Sequence, residues 1–348
     1  MEQEQQNNVK VWVVRHGANG QLENMSLENN LLILGWHQVP DLTGKNEKEI
    51  EETVKQFFKK PHVYSQLTKF VLKLKQNDIV VLPLKTRPGK VAVGLVKGGY
   101  KYIEDEENEH PTKHTRKVEW IKTDVQKSAI GEDILKSLYG QLTLFEVKRK
   151  NVVERFEHIM KTGTDPALHS APTQNEEDAI PTQENLISII GEAEEQILQK
   201  IETKFNPHQF AELVGEVLKA EGYAISLPPR AKDGGVDVLV SKGALELESS
   251  TCVQVKMTDK PIGPDVLRSL QGTMQSFSAD YGLLVSWGGF TRSTEQEAMQ
   301  HYFKIKLWNA PKFMQHFYRN YNKLPREIKQ KIPLKQIWTL IDDVDILD

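Results

Sequence analysis

The first 160 residues alternate short hydrophobic runs with polar stretches. Hydrophobic residues at helical spacing predict two helices, at Glu47–Phe58 and Val63–Leu74. Many short strands with few helices predict a small, partly open β-barrel with helices over residues 9–160. The runs that predict strands, because they are rich in β-branched and aromatic residues, are Val9–Arg15, Leu31–Trp36, Asp78–Leu84, Val91–Val96, Val118–Ile121 and Leu142–Val147.

From residue 186 onward, helical periods alternate with strand patterns. The periodicity predicts a leading helix over about fifteen to twenty residues, followed by an amphipathic helix at Pro207–Glu221. Strands are predicted at Val236–Val240, Thr251–Lys256 and Tyr281–Ser286, and helices at Pro264–Phe277 and Arg292–Tyr302. This order predicts a mixed α/β core over residues 186–348, so the chain combines α/β and α+β architecture in two domains.

Residues 161–185 have no apolar period and contain Pro, Gly and polar residues, which is typical of a linker. Residues 162–199 carry eight acidic residues and no Lys or Arg. The net charge of −3 therefore arises in this middle segment, and the flanking parts are neutral to mildly basic. The overall charge consequently does not exclude a polyanionic partner.

The cysteine content and the hydropathy of the chain indicate the cellular compartment in which we expect the protein. The chain has one cysteine, Cys252, which excludes an intramolecular disulfide framework and fits a reducing, cytoplasmic compartment. The polar segment Met1–Asn8 lacks the features of a signal peptide, and no run approaches eighteen apolar residues. We therefore expect a cytoplasmic protein with no membrane partner.

Two predicted strands carry polar residues where buried ones are expected. Asp237 interrupts an apolar run after Gly234 and Gly235. In the next strand, a period of two places Gln254 and Lys256 on one face. If the two strands pair antiparallel, Asp237 approaches Gln254 and Lys256. The alternative is that these are solvent-facing residues of half-buried strands.

An acid, an amide and an amine at a strand edge are suited to phosphodiester hydrolysis. Asp237, the Gln254 side chain and the Val255 carbonyl can supply the hard oxygen ligands that Mg²⁺ requires, and Mn²⁺ is an alternative. Lys256 can orient or deprotonate the attacking water, or neutralise charge that develops on the phosphate.

The order of these motifs resembles the Mrr-like branch of the PD-(D/E)XK nuclease superfamily, in which Gln replaces the middle acid. The resemblance covers roughly Phe205–Pro333, including Asp233–Asp237 and Val253–Lys256. It implies a restriction-endonuclease-like fold with Asp237, Gln254 and Lys256 as catalytic positions.

The first helix of this resemblance departs from the family pattern at one position. The family often has Phe-Glu-x-Leu-Val, with a Glu that aids metal binding, whereas this chain has Phe210–Val214 with the acid at Glu212. The acid is therefore displaced by about 100° around the helix. Glu212 is a candidate catalytic residue, and the alternative is a solvated surface acid.

The strand segments of the first part resemble the N-terminal module of some Mrr-type restriction proteins, which is similar to PUA-superfamily folds of the EVE and YTH kind. This resemblance implies a pocket that accepts an extruded, modified base between aromatic side chains. The alternative is that the tryptophans fill the barrel core. The candidate pocket residues are Trp36, Trp12, Tyr100, Trp120 and Arg87.

These observations predict a modification-dependent DNA endonuclease, as in restriction and phage defence, that cuts double-stranded DNA with Mg²⁺. Cutting both strands requires two active sites, so we expect a homodimer or a higher homo-oligomer. Two alternatives remain: a nuclease gated by another ligand, such as a nucleotide signal, and a catalytically inactive DNA-binding protein.

Overall fold

The computed structural model describes residues 9–17, 19–103, 113–140, 142–168, 182–228, 235–242 and 248–337. The chain divides into two compact units, and the main division falls between Glu194 and Glu195 inside helix α6 (Thr182–Lys204). The turn Lys85–Pro88 is grouped with the second unit. None of the helices in the described ranges is long and apolar enough to cross a membrane. Each unit has its own sheet, so each is described by itself.

The first unit contains a six-stranded sheet. Its strands have the order β2-β5-β4-β3-β1-β6, in which β1 and β3 pair parallel and the other neighbours pair antiparallel. The strands are β1 (Val11–Val14), β2 (Leu31–Leu34), β3 (Ile79–Leu84), β4 (Lys90–Tyr102), β5 (His114–Gln126) and β6 (Leu144–Glu146).

Helices cover both faces of this sheet. Leu67 and Phe70 belong to the cluster on one face, and Ile134 and Phe156 belong to the cluster on the other. Burying both faces explains why β1 and β3 are continuously apolar, because neither face is left for polar residues. The helices are α1 (Glu23–Asn29), α2 (Glu47–Lys55), α3 (Pro61–Thr68) with a π-helical turn at Lys69–Lys73, α4 (Glu132–Leu138) and α5 (Val152–Thr162).

The segment after β1 lies close to β2, although β1 and β2 are not neighbours in the sheet. Directly after β1, the buried His16 accepts a hydrogen bond at Nε2 from the backbone N–H of Ile33 in β2, at 3.2 Å. Burial lowers the pKa of His16 to about 3, so the ring is neutral and can accept this bond. The predicted partly open barrel stays a prediction for this six-stranded sheet. The likeness to PUA-superfamily folds stays a prediction.

The second unit contains a five-stranded sheet with the order β11-β10-β9-β8-β7. The strands β9, β10 and β11 run parallel, whereas β7, β8 and β9 pair antiparallel. The elements after α6 are α7 (Pro207–Ala220), β7 (Ala224–Ser226), β8 (Val238–Lys242), β9 (Ser249–Lys256), α8 (Pro264–Ser276), β10 (Tyr281–Ser286), α9 (Arg292–Met299), β11 (Ile305–Asn309), α10 (Ala310–Asn320) and α11 (Arg326–Lys331).

Two helix layers enclose this second sheet. Apolar residues of α7 and α10, such as Phe210 and Phe313, pack against Val253 and Val255 of β9. Residues of α8, such as Leu267, share a separate cluster with Cys252 on the opposite face of β9. The predicted mixed α/β core of this part of the chain is therefore confirmed.

The structure adds elements to those that the sequence patterns predicted. It adds the helices α1, α4, α5, α10 and α11 and the strands β7 and β11, and it extends the predicted strand Val118–Ile121 to His114–Gln126. Residues 169–181 of the predicted linker lie outside the described residues. Before them, Asp165 is buried and paired with Arg155 of α5. The packed part of the first unit therefore extends past residue 160.

Candidate active site

The alternation of β9 separates its core residues from its candidate catalytic residues. Val253 and Val255 face the cluster with α7, while Cys252 faces the cluster with α8. Gln254 and Lys256 share the side of Cys252, as the period of two predicted. Burial raises the pKa of the Cys252 thiol, which fits a packing residue and not a nucleophile.

Asp237 lies one residue before β8, where β8 and β9 pair antiparallel with Val238 opposite Val253. Its backbone N–H donates to the carbonyl of Val253 at 2.9 Å. Its Oδ2 accepts a hydrogen bond from the backbone N–H of Val255 at 2.7 Å. The carboxylate is thereby held against β9 beside Gln254, which is the approach that the sequence predicted for antiparallel strands.

A glycine is required close before this aspartate. Gly235 has a φ of +97°, which L residues with a side chain rarely adopt. A Cβ at this position would lie 3.1 Å from Nε2 of Gln254. Gly235 therefore lets the chain turn into β8 while Gln254 keeps its place.

A cavity of about 360 Å³ opens where β9 ends. It brings Glu212 of α7 together with Asp237, Val255 and Lys256, and it also reaches His208, which the sequence patterns did not single out. The sequence feature that could have identified His208 is its position one helical turn before Glu212. The remaining lining residues are Pro207, Ala211, Leu227, Pro228, Val236, Met257 and Thr258.

Gln254 is the buried member of the set, with 4% of its surface exposed. Its Oε1 has no hydrogen-bond partner among the described residues. An unpaired buried amide oxygen is unfavourable, so an unpaired acceptor here points to a group that the protein alone does not supply. Gln254 does not line the cavity, whereas the neighbouring Asp237 and Val255 do. Oxygen atoms of these three residues are hard donors of the kind that fits Mg²⁺.

Glu212 lies on the cavity side of α7. Oε1 of Glu212 is 3.1 Å from Nδ1 of His208, and the side chains are 48% and 44% exposed, respectively. Ala211, at the position where the family pattern has its Glu, also lines the cavity. The displaced acid therefore still borders the same space as Asp237 and Lys256.

The aromatic candidates of the first unit share one apolar cluster. Trp12 is 2% exposed, and its Nε1–H donates to Oδ2 of Asp78 at 2.9 Å. Such burial fits the core alternative for Trp12. Trp36, Tyr100 and Trp120 are partly buried and pack against the same cluster, so their rings are not fully enclosed.

The neighbours of these aromatic residues are polar. The Nε1–H of Trp120 donates to the carbonyl of Ser26 at 3.1 Å, and the hydroxyl of Tyr100 lies 2.8 Å from Nδ1 of His114. Burial lowers the pKa of His114 to about 4. Arg87 lies apart from this cluster in the chain, in the turn between β3 and β4.

The described residues contain no group of three or more His, Cys, Asp or Glu side chains that could hold a metal ion. Asp233, the first residue of the Asp233–Asp237 motif, lies outside the described residues. Asp237 and Glu212 are the two carboxylates that line the cavity.

Residues 202–317 match the Mrr_cat family model, which is described as a restriction endonuclease. Residues 12–148 match a domain of unknown function, DUF8426. No curated protein matches the chain. The first match includes every candidate catalytic residue of the second unit.

Three solved structures are similar to the chain at low identity. The DNA modification-dependent restriction endonuclease AspBHI has 12% identity and a TM-score of 0.34, and the match covers 86% of this chain and 78% of that one. The MspJI restriction endonuclease in complex with a 27-mer oligonucleotide has 14% identity, coverage of 74% and 64%, and a TM-score of 0.31. The protein of unknown function AF1548 has 13% identity and a TM-score of 0.25, and the match covers 29% of this chain and 57% of that one.

Because these TM-scores are low, the assignment of the domain depends on the family match and not on the solved structures. The chain spans little more than half the length of AF1548. The matched residues contain α7, β8 and β9, which border the cavity with Glu212, Asp237 and Lys256. Residues 202–317 therefore form a restriction endonuclease domain of the Mrr_cat family.

Proposed function

We propose that the protein is a modification-dependent DNA endonuclease that hydrolyses phosphodiester bonds with Mg²⁺. The observation that carries the proposal is the cavity at the end of β9, where Glu212, Asp237 and Lys256 meet inside the restriction endonuclease domain. A carboxylate beside a half-buried ammonium is suited to a reaction in which negative charge develops on a phosphate.

Asp237, Oε1 of Gln254 and the carbonyl of Val255 would hold Mg²⁺. When bound, this ion supplies positive charge that stabilises the attacked phosphate and lowers the pKa of a coordinated water. The backbone N–H of Val255 keeps the Asp237 carboxylate oriented toward β9. Nζ of Lys256 contributes a second positive charge at the cavity and orients the attacking water.

The first unit would read the modified base. Its support is the group of partly buried rings of Trp36, Tyr100 and Trp120 on one cluster, since an extruded base stacks on aromatic faces. We expect Trp36→Ala to abolish discrimination between modified and unmodified duplexes. Phe57→Ala, which removes an exposed ring of the same unit, is the control and should leave discrimination intact.

Cleavage of matched duplexes with Mg²⁺ tests the proposal. One duplex is unmodified, and the others carry 5-methylcytosine, 5-hydroxymethylcytosine or N6-methyladenine. We expect cutting that requires one modification and that disappears in Lys256→Ala. Equal cutting of all duplexes would retain the nuclease and reject base reading.

Two other results would favour the alternative functions. Binding without Mg²⁺ and without cutting would indicate an inactive DNA-binding protein. Cutting that appears only after a nucleotide is added would indicate a ligand-gated nuclease. In the second case, the variant Lys256→Ala distinguishes cleavage at this cavity from cleavage by a contaminating nuclease.

A further inference from the structure

The second turn of α7 carries its acid one residue later than the family pattern does. Ala211 lines the cavity where the family pattern has an acid, and the acid of this chain is Glu212. Because Glu212 points from a different direction around the helix and is 48% exposed, its carboxylate is not fixed by packing. Something else must hold it toward the cavity if it is to act there.

His208 is placed to do this. It precedes Glu212 by four residues, so both side chains lie on the same face of α7. Nδ1 of His208 and Oε1 of Glu212 form a close contact of 3.1 Å, and both residues line the cavity with Asp237 and Lys256. A histidine that donates from Nδ1 to a carboxylate has its ring and the carboxylate fixed together.

We propose that His208 is a positioning residue, whose Nδ1–H holds the Glu212 carboxylate over the cavity shared with Asp237 and Lys256. This inference rests on the proposed nuclease function. The pair compensates for Ala211: an acid one position further along the helix reaches the cavity because a partner one turn earlier restrains it. His208 acts through Glu212 and does not itself contact the reacting atoms.

A double-mutant cycle on the full chain tests the coupling. Mutating a residue that orients a ligating or catalytic group typically lowers affinity or activity by roughly 10- to 100-fold. We therefore expect His208→Ala to lower kcat about tenfold without changing KM for DNA. The double variant His208→Ala/Glu212→Ala should be no slower than Glu212→Ala alone. His208→Asn, whose amide N–H replaces that of Nδ1, should restore most of the activity, and the exposed His301→Ala should have no effect.

Mn²⁺ titration by calorimetry gives a second readout that does not depend on cleavage. We expect His208→Ala and Glu212→Ala to weaken Mn²⁺ binding by about the same factor, and the double variant to weaken it no further. The inference would be overturned if the double variant lost the product of the two single losses in Mn²⁺ affinity, or if His208→Ala lost no affinity. If the wild-type chain never cuts DNA while Mn²⁺ affinity follows the expected cycle, the proposed function fails and the positioning role stands.

Discussion

At the scale of single residues, Gln254 combines burial with an unpaired oxygen. A buried amide without a partner lowers stability, whereas an apolar side chain of similar size does not incur this cost. Natural proteins retain such groups where function needs them. The position of Gln254 beside Asp237 offers a functional reason, since a metal would satisfy Oε1.

We therefore expect Gln254→Met to abolish cleavage while leaving the free energy of unfolding unchanged or about 1 kcal/mol higher. Gln254→Ala is the comparison, because it also removes the unpaired oxygen but leaves a cavity that costs about 2 kcal/mol or more. Urea unfolding of the full chain measures both. A loss of more than about 2 kcal/mol in Gln254→Met would mean that Oε1 has a partner in the folded protein.

At the scale of secondary-structure elements, the long strands β4 and β5 approach closely at one glycine. A Cβ on Gly94 would lie 2.5 Å from the backbone carbonyl oxygen of Glu119, where the β4–β5 register is irregular. Backbone atoms cannot yield as a flexible side chain can. Gly94 therefore permits the tight pairing in the middle of the first sheet.

We expect Gly94→Ala to lower the free energy of unfolding by about 1–3 kcal/mol, because the strands must separate to admit the methyl group. Gly99→Ala, in the same strand, should change stability little, because no heavy atom lies within 4 Å of the place that its Cβ would take. Thermal unfolding of the two variants side by side provides the measurement. Equal midpoints would show that the strands accommodate the methyl group without loss.

Helices α4 and α5 are joined by a charged group of three residues. Arg155 donates to both carboxylate oxygens of Asp133, at 2.6 and 2.8 Å, and to both oxygens of Asp165, at 3.0 and 2.6 Å. Hydrogen bonds from Arg155 lower the pKa of Asp133. Burial alone would raise the pKa of Asp165, but Arg155 and the N–H groups of Ala167 and Gly131 outweigh it and lower that pKa also.

Removing the guanidinium should be costly, because it leaves the buried Asp165 carboxylate without its cation. We expect Arg155→Met to destabilise the protein by about 3 kcal/mol at pH 7. Since both carboxyl pKa values are lowered on folding, the stabilisation is complete well above their usual value of 3.8 and is lost as the pH falls through the lowered values. Urea unfolding at several pH values should show the wild-type and variant curves converging in acid, whereas a constant difference would contradict the ion-pair explanation.

Other helices and strands show how much of the fold the sequence patterns could predict. The apolar periods of α7 and β9 predicted both elements and the side of the strand that carries Gln254. The patterns did not predict that α8 covers that side, because such contacts depend on tertiary packing. Helix α10 carries a comparable period in Phe313, Met314 and Phe317, so its pattern also indicates a helix. Helix α1 offered no period, because its buried residues are polar.

At the scale of the whole molecule, a single catalytic cavity cuts one strand at a time. Double-strand cleavage by this chain would therefore require two copies, each supplying one Lys256. A dimer and two independent monomers should give different cleavage products when active and inactive copies are mixed. A mixture of active and inactive copies should form mixed dimers that cut a single strand.

We expect co-purified wild-type and Lys256→Ala chains, with the variant in excess, to convert a modified supercoiled plasmid mainly into nicked circles. Wild-type protein alone should give linear DNA, because both sites of its dimer are active. Diluting wild-type protein with buffer to the same active concentration is the control for reduced activity. If the mixture yields linear DNA at the rate of the diluted control, each chain cuts both strands by itself and the dimer hypothesis is wrong.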